Sequence, residues 1–214
     1  MVLAGLLSRV GYQMLPDNLR LPDDKLPPML RVKKQQHISQ LQKLLRVSGQ
    51  PDEHVSRLIS EQNELLDGSG YPNQLDFDKL NSAQRIFSIA IMYDSLVYGF
   101  DHTKAIASAA AYRELMEHSP NHYDPDLLQT FIQAIGVYPA GTLVKLCSGR
   151  IALVVENQQQ LTKPRVKVFY NAEFNHHLAV RIIDLAESDD SIEGTASAQR
   201  YDLDIADLIS EDGI

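Results

Sequence analysis

The spacing of apolar residues divides the chain near residue 137 into a part with helical periodicity and a part with strand-like alternation. Before that point, apolar side chains recur every three or four residues, which is the repeat of an amphipathic helix. This repeat predicts helices over the segments 37–47, 53–65, 82–98, 105–118 and 125–135. The segment 82–98 is apolar almost all round, which is typical of a central buried helix.

Capping residues mark the ends of the last two of these segments, and the last segment is the best delimited. Asp101 and Thr103 are candidate caps for the helix over 105–118. Asp124 can cap the last helix, Pro125 fits its first turn, and Gly136 ends it. The helical part is therefore predicted to end at residue 136.

The pattern after residue 137 indicates a small β subdomain. Two apolar, partly alternating runs flank Ser148-Gly149, which predicts a hairpin, and PRVKVFYN predicts a third strand. The predicted fold class is therefore mainly α, with a helical bundle over 1–136 followed by a β subdomain over 137–183.

Acidic residues are concentrated at the C-terminus. Residues 184–214 contain ten Asp or Glu and one base, Arg200, so this segment carries −9 and the rest of the chain +1, for a net charge of −8. We interpret the segment as a solvated, partly mobile tail rather than a partner-binding segment. The net negative charge argues against nucleic-acid binding, which needs a basic face.

The cysteine count and the hydropathy pattern bear on the compartment. Cys147 is the only cysteine, which excludes an internal disulfide and a cysteine-rich metal site and suits a reducing cytoplasm. The apolar N-terminus lacks the basic region of a signal peptide. No apolar run approaches the roughly twenty residues that span a bilayer, so we expect no membrane association.

The stretch DGSGYP, residues 67–72, is the most sharply punctuated in the chain. A Gly-x-Gly pair alone is common in turns. Here it follows EQNELL and precedes RIFSIAIMYDSL, which opens at Arg85, and YDPDLLQTFIQAIGVYPAGTLVKLCSGRIALVV follows later. In this order the segments resemble the HD-GYP family of bacterial cyclic di-GMP phosphodiesterases, over about residues 4–170.

The resemblance implies an HD-domain helical bundle that hydrolyses cyclic di-GMP at a centre of two or three iron or manganese ions. Such a centre needs several converging His and Asp side chains. The family's ligand positions fall here on Ser8, Arg9, His37, Gln62, Asn63 and Ile91. Only His37 keeps the expected residue, because arginine and isoleucine cannot ligate a metal and amides are poor substitutes for imidazole.

Two other family positions also differ. The family's lysine falls on Tyr12, and its arginine-bearing string falls on residues 100–103, which contain no arginine. We therefore predict a degenerate HD-GYP domain that is not an enzyme, holds no metal or cofactor, and acts by protein contact in cyclic di-GMP signalling. The alternatives are a receptor that binds cyclic di-GMP without metal, and a residual metal-dependent phosphodiesterase.

The DGSGYP turn itself is a candidate contact surface. Its candidate residues are Asp67, Gly68, Gly70, Tyr71 and Pro72. We expect both glycines to need backbone angles that other residues avoid, and Tyr71 to be an exposed anchor. In the family this motif is linked to diguanylate cyclase (GGDEF) domains, which are therefore the expected partners.

Three further expectations concern single residues and the N-terminus. Glu64 is predicted to hold the turn by a hydrogen bond, and Asp94 to cap a helix or pair with Arg85. The chain starts shortly before the family's His-Asp position, so the apolar first helix, VLAGLLSRVGYQML, is expected to lack part of its cover. We expect self-association, such as a homodimer, to cover it.

Overall fold

The structure, a computed structural model, describes residues 1–21, 25–49, 52–99 and 104–204. The chain divides into two compact units, Met1–Phe131 and Ile132–Ile214. The first unit is helical, and the second contains an antiparallel five-stranded sheet. The mainly α class with a C-terminal β subdomain is thus confirmed, although the second unit begins slightly before the predicted boundary.

The described helices are bounded as follows: α1 Val2–Leu7, α2 Val10–Gln13, α3 Pro28–Gln35, α4 His37–Val47, α5 Glu53–Ser60, α6 Ser82–Tyr98, α7 Ser108–His118 and α8 Pro125–Ile135. Three of them, α4, α6 and α8, have the predicted bounds. Short 3-10 helices lie at Asp17–Leu19 and Phe77–Lys79.

Three predicted helices are shorter than expected, and one of them, α7, begins three residues later than predicted. The predicted N-terminal helix is broken between α1 and α2, where the carbonyl oxygen of Ser8 accepts a hydrogen bond from the side chain of Gln62. The helix α5 ends at Ser60, because Asn63 forms an antiparallel bridge with Tyr71. A residue that bridges to an extended segment cannot also continue a helix, so the turn ends α5 early.

Local hydrogen bonds fix the ends of α6 and α8. Asn81 and Gln84 form a reciprocal capping box at the start of α6, and Gly99 ends that helix in the left-handed conformation. The carboxylate of Asp124 accepts from Leu127 N at 3.2 Å, which confirms the predicted cap of α8. The candidate caps Asp101 and Thr103 lie outside the described residues.

The helical unit is held by a cluster of buried side chains from α1, α4, α5 and α6, with α6 contributing Phe87. The opposite face of α1 is open, since Val2 is 81% and Leu6 is 74% exposed. These exposed side chains lie on the helix for which we predicted incomplete cover, and self-association remains a prediction. No helix among the described residues is both long and apolar enough to cross a membrane.

The β unit forms one antiparallel sheet in the order β4-β3-β2-β1-β5. Its strands are β1 Leu143–Leu146, β2 Arg150–Glu156, β3 Arg165–Asn171, β4 His176–Asp184 and β5 Ile192–Thr195. The predicted hairpin and third strand correspond to β1, β2 and β3. The strands β4 and β5 were not predicted. Buried side chains such as Val154 and Leu153 form separate clusters.

The acidic segment from residue 184 is part of this sheet, which corrects its interpretation as a solvated tail. Leu185 is fully buried, β5 pairs with β1, and Leu203 packs against the cluster that contains Leu143. Apolar residues spaced among the acids hold the backbone on the sheet, while most of the carboxylates described as far as residue 204 are exposed. Residues 205–214 lie outside the described residues.

One acid of this segment, Asp190, has a structural role. Its carboxylate accepts from Ser148 Oγ at 2.6 Å and from the Arg150 guanidinium at 2.8 Å, so it clamps the β1–β2 turn. Burial alone would raise the pKa of Asp190, but these hydrogen bonds outweigh it and hold the pKa below its usual range.

Candidate functional site

Four of the six predicted ligand positions meet at the break between α1 and α2. Gln62 Nε2 donates to the carbonyl oxygen of Ser8 at 3.2 Å. Arg9 donates to the carbonyl oxygen of Ile91 at 3.2 Å. These four positions come from three separate parts of the chain, so the fold gathers them as the resemblance implies.

His37 lies beside the same segment, because α2 and α4 are in backbone contact. A Cβ atom on Gly11 would lie 2.5 Å from the carbonyl oxygen of His37 and 2.7 Å from Leu41 Cβ. Only glycine permits this approach. The imidazole Nδ1 lies 2.8 Å from the carbonyl oxygen of Lys34, which orients the ring.

Aromatic rings connect His37 to the DGSGYP turn. The imidazole lies edge-on to Tyr12, with ring centres 5.6 Å apart, and to Tyr71 at 6.3 Å. Tyr71 N donates to the carbonyl oxygen of Asn63 at 3.1 Å. Asn63, the remaining predicted position, thus contacts the turn through its backbone.

The guanidinium of Arg9 binds α6. It donates to Asp94 Oδ2 at 2.6 Å and to Ser95 Oγ at 2.8 Å, in addition to Ile91. The suggested pairing of Asp94 with Arg85 is therefore wrong. Arg9 reaches Asp94 because it follows α1 directly, at the point where α1 ends beside α6.

Arg85 instead joins the segment after the turn to α8. Its guanidinium pairs with Asp124 at 3.2 Å, and both side chains are largely buried. It also donates to the carbonyl oxygens of Leu80 and Phe77, and it stacks on the Phe77 ring at 3.6 Å. The segment from the turn to α6 is therefore fixed by one arginine.

Glu64 holds the DGSGYP turn from inside. Its side chain is 1% exposed, and its carboxylate accepts from Asn73 N at 2.6 Å and Leu75 N at 2.9 Å. The predicted role of Glu64 is thus confirmed. Two backbone N–H groups nine and eleven residues further along are bound by one buried side chain.

The two glycines of the turn are needed for different reasons. Gly68 has a φ of +75°, as expected. Gly70 has an ordinary φ, but a Cβ atom there would lie 2.5 Å from both Asn63 O and Glu64 Cα. The expectation of an unusual backbone angle is wrong for Gly70, where lack of space is the constraint.

The tyrosine of the turn is not an exposed anchor, which corrects that expectation. Tyr71 is half-buried and packs toward His37. Beyond it the outer side of the turn is exposed. We call this surface the outer edge, and it consists of Pro72, Asn73, Gln74 and Phe77.

The other side of the turn is fastened to the loop between α7 and α8. Leu66 N donates to the carbonyl oxygen of His122 at 3.2 Å, and Asp67 Oδ2 lies 3.5 Å from His122 Nε2. The side chain and backbone N–H of Ser69 donate to Asp67 and lower the pKa of its carboxyl group. The turn is thus tied at both ends.

Sequence reasoning missed Lys34, which is 7% exposed. Its ammonium group lies 5.7 Å from the centre of the Tyr12 ring and donates to the carbonyl oxygen of Leu21. Tyr12 is the residue on which the family's lysine position falls. The spacing of Lys34 from Leu30 could have revealed this position, because the two residues are one helical turn apart on α3. Leu30 packs against the cluster that contains Tyr12.

The side chains at the six positions do not fit the implied two- or three-metal centre. They supply one imidazole, two amides, a guanidinium, an isoleucine and a hydroxyl that donates a hydrogen bond to the carbonyl oxygen of Gly5. Across the described ranges, no three His, Cys, Asp or Glu side chains are grouped so that they could hold a metal ion. We therefore assign no metal-dependent step to these positions.

Residues 1–127 match the HD domain family. The cyclic di-GMP phosphodiesterase PA4108 of Pseudomonas aeruginosa is 30% identical over 93% of this chain and 49% of its own length. The cyclic di-GMP phosphodiesterase PdeB of Borreliella burgdorferi is 29% identical over 44% of this chain and 24% of its own. This chain thus spans about half or less of each relative.

A solved structure, Bd1817, described as an HDG"Y"P protein from Bdellovibrio bacteriovorus, aligns with a TM-score of 0.49 and 23% identity. The alignment covers 59% of this chain and 40% of that one.

These comparisons confirm the HD domain and the homology to cyclic di-GMP phosphodiesterases. They also correct one prediction, that the chain is not an enzyme. Proteins named as cyclic di-GMP phosphodiesterases are similar to it, one of them at 30% identity over 93% of this chain, and this points to an enzyme.

Proposed function

The chain belongs to the HD domain family, and from this premise we propose that it acts in cyclic di-GMP signalling by contacting another signalling protein through the outer edge of the DGSGYP turn. The observation that carries the proposal is the buried Glu64 carboxylate, which fixes the backbone at Asn73 and Leu75. A surface that is rigid before binding loses little conformational entropy when a partner docks.

The aromatic anchor of this surface is Phe77. Its ring is 46% exposed, and the guanidinium of Arg85 lies against it at 3.6 Å. Arg85 is in turn held by Asp124, so the ring is ordered without a partner. Aromatic and arginine side chains are the residues that most often dominate the affinity of protein interfaces.

A GGDEF-domain protein is the proposed partner, because the family resemblance links the turn to such domains. The test uses a purified GGDEF domain from the same genome as the probe and measures its affinity for the full chain by calorimetry. Phe77→Ala is expected to weaken binding by about thirtyfold, since loss of a central aromatic anchor costs about 2 kcal/mol.

The matched control is Met116→Ala on α7, which removes a side chain that is 60% exposed and distant in sequence from the turn. It is expected to bind the GGDEF domain like the wild type. Equal affinities for the two variants, or no binding by the wild type, would contradict the proposal. Thermal unfolding of both variants checks that each remains folded.

Hydrolysis of cyclic di-GMP is a second candidate function, favoured by the relatives' names and by the 30% identity over 93% of the chain. His37 is the one imidazole at the six positions, and its hydrogen bond to Lys34 orients it. Any turnover is therefore expected to depend on His37.

The assay follows conversion of cyclic di-GMP to the linear dinucleotide by chromatography. His37→Ala is expected to abolish turnover, whereas His54→Ala, at an exposed position of α5, is expected to leave it unchanged. Absence of turnover by the wild type would contradict this candidate, whereas turnover that survives in His37→Ala would contradict the expected role of His37.

A further inference from the structure

We infer that the Arg9 guanidinium serves as a fixed internal cation, which joins the α1–α2 break to α6 where the family places metal ions. Arg9 and Ile91 both fall at family ligand positions, and they are in direct contact at 3.2 Å. The positive charge is thus supplied by the chain itself.

The acceptors of Arg9 resemble a set of oxygen ligands. They are the carboxylate of Asp94 at 2.6 Å, the hydroxyl of Ser95 at 2.8 Å and the carbonyl oxygen of Ile91. Positions 91, 94 and 95 lie on one face of α6, so a single guanidinium can reach all three. Hard cations are bound by oxygen atoms of these same chemical types.

The break is also joined to the segment after α5. Gln62 Nε2 donates to the Ser8 carbonyl oxygen across 54 residues of sequence, and Arg9 reaches Asp94 across 85. Metal ligands at such positions would connect the same distant parts of the chain. Here hydrogen bonds from Arg9 and Gln62 make these connections.

This arrangement has a consequence for metal binding. The Arg9 side chain is 24% exposed, so its charge is only partly screened by solvent. The positive charge of the guanidinium repels a divalent cation at the same place. Folding of the helical unit should therefore be insensitive to added or removed metal.

The test is thermal unfolding of the full chain with a chelator, with Mn²⁺ and with Fe²⁺ under reducing conditions. The wild-type midpoint is expected to stay within about 1 °C throughout. Arg9→Met is expected to lower it by about 5 °C, the shift expected from losing charge-assisted hydrogen bonds in a chain of this size. Arg113→Met, at an exposed position of α7, is the matched control and is expected to leave it unchanged.

Two further variants extend the test, and the first of them, Arg9→Lys, keeps it decisive even if Arg9→Met does not fold. Arg9→Lys retains the charge without the planar fork and is expected to show a smaller loss. The double variant Arg9→Met with Asp94→Asn is expected to be no less stable than Arg9→Met, because each substitution removes the same interaction between the two side chains. A midpoint raised several degrees by either metal, or equal midpoints for Arg9→Lys and the wild type, would overturn the inference.

Discussion

Replacing Gly70 with alanine is expected to destabilise the helical unit by about 3 kcal/mol, the upper range for forcing atoms into a packed site. The added Cβ would meet the backbone of residues 63–65, including Asn63 O at 2.5 Å. Backbone atoms cannot move aside as a flexible side chain would, so the turn must open. Urea unfolding followed by circular dichroism measures the loss.

Gly5→Ala is the matched control for this substitution. Gly5 lies inside α1, and nothing lies within 4 Å of the position its Cβ would take. Alanine there is expected to raise stability by about 0.5–1 kcal/mol through its higher helix propensity. Similar stabilities for the two variants would mean that the turn is not rigid at Gly70.

Replacing Glu64 with glutamine is expected to lower the free energy of unfolding by about 2–4 kcal/mol at neutral pH. The amide keeps one acceptor oxygen, but its NH₂ group would face one of the two backbone donors, Asn73 N or Leu75 N. A buried N–H group would then lose its partner. Urea unfolding at pH 7 measures the change.

The neighbouring Glu61→Gln is the control, and its effect should have the opposite sign. Burial raises the pKa of Glu61, although the adjacent Arg57 opposes this. The stability that protonated Glu61 gives is fully present below the pKa of an unfolded glutamate, about 4.3, and is lost as pH rises through the higher folded pKa.

Glu61→Gln is therefore expected to match the wild type near pH 4 and to be the more stable protein at pH 7. A loss of stability in Glu61→Gln equal to that of Glu64→Gln would show that removing either charge has the same effect. The specific hydrogen bonds of Glu64 would then not be what holds the turn.

Local signals account for what the sequence predicted well. The bounds of α6 and α8 follow from side chains next to the helix ends, Asn81 and Asp124, and from the apolar periodicity. The role of Glu64 was also readable, since a carboxylate directly before a glycine-rich turn lies within reach of its backbone. Such features depend on a few neighbouring residues.

Pairings across long sequence distances were not readable. The contact between Arg9 and Asp94 depends on where α1 ends beside α6, and the inward packing of Tyr71 depends on the position of His37, which is distant in the sequence. The strands β4 and β5 were missed for another reason. β4 is an edge strand exposed along most of its length, and β5 has four residues among many acids, so neither shows clear alternation.

The ion pairs of the β unit weaken the electrostatic potential that the acidic segment produces at long range. Asp190 is paired with Arg150 at 2.8 Å, and Glu193 with Lys145 at 2.9 Å. Each pair acts as a short dipole, and the potential of a dipole fades much faster with distance than that of a single charge. Charge counted along the sequence thus overstates how strongly this face would attract a basic protein in dilute salt.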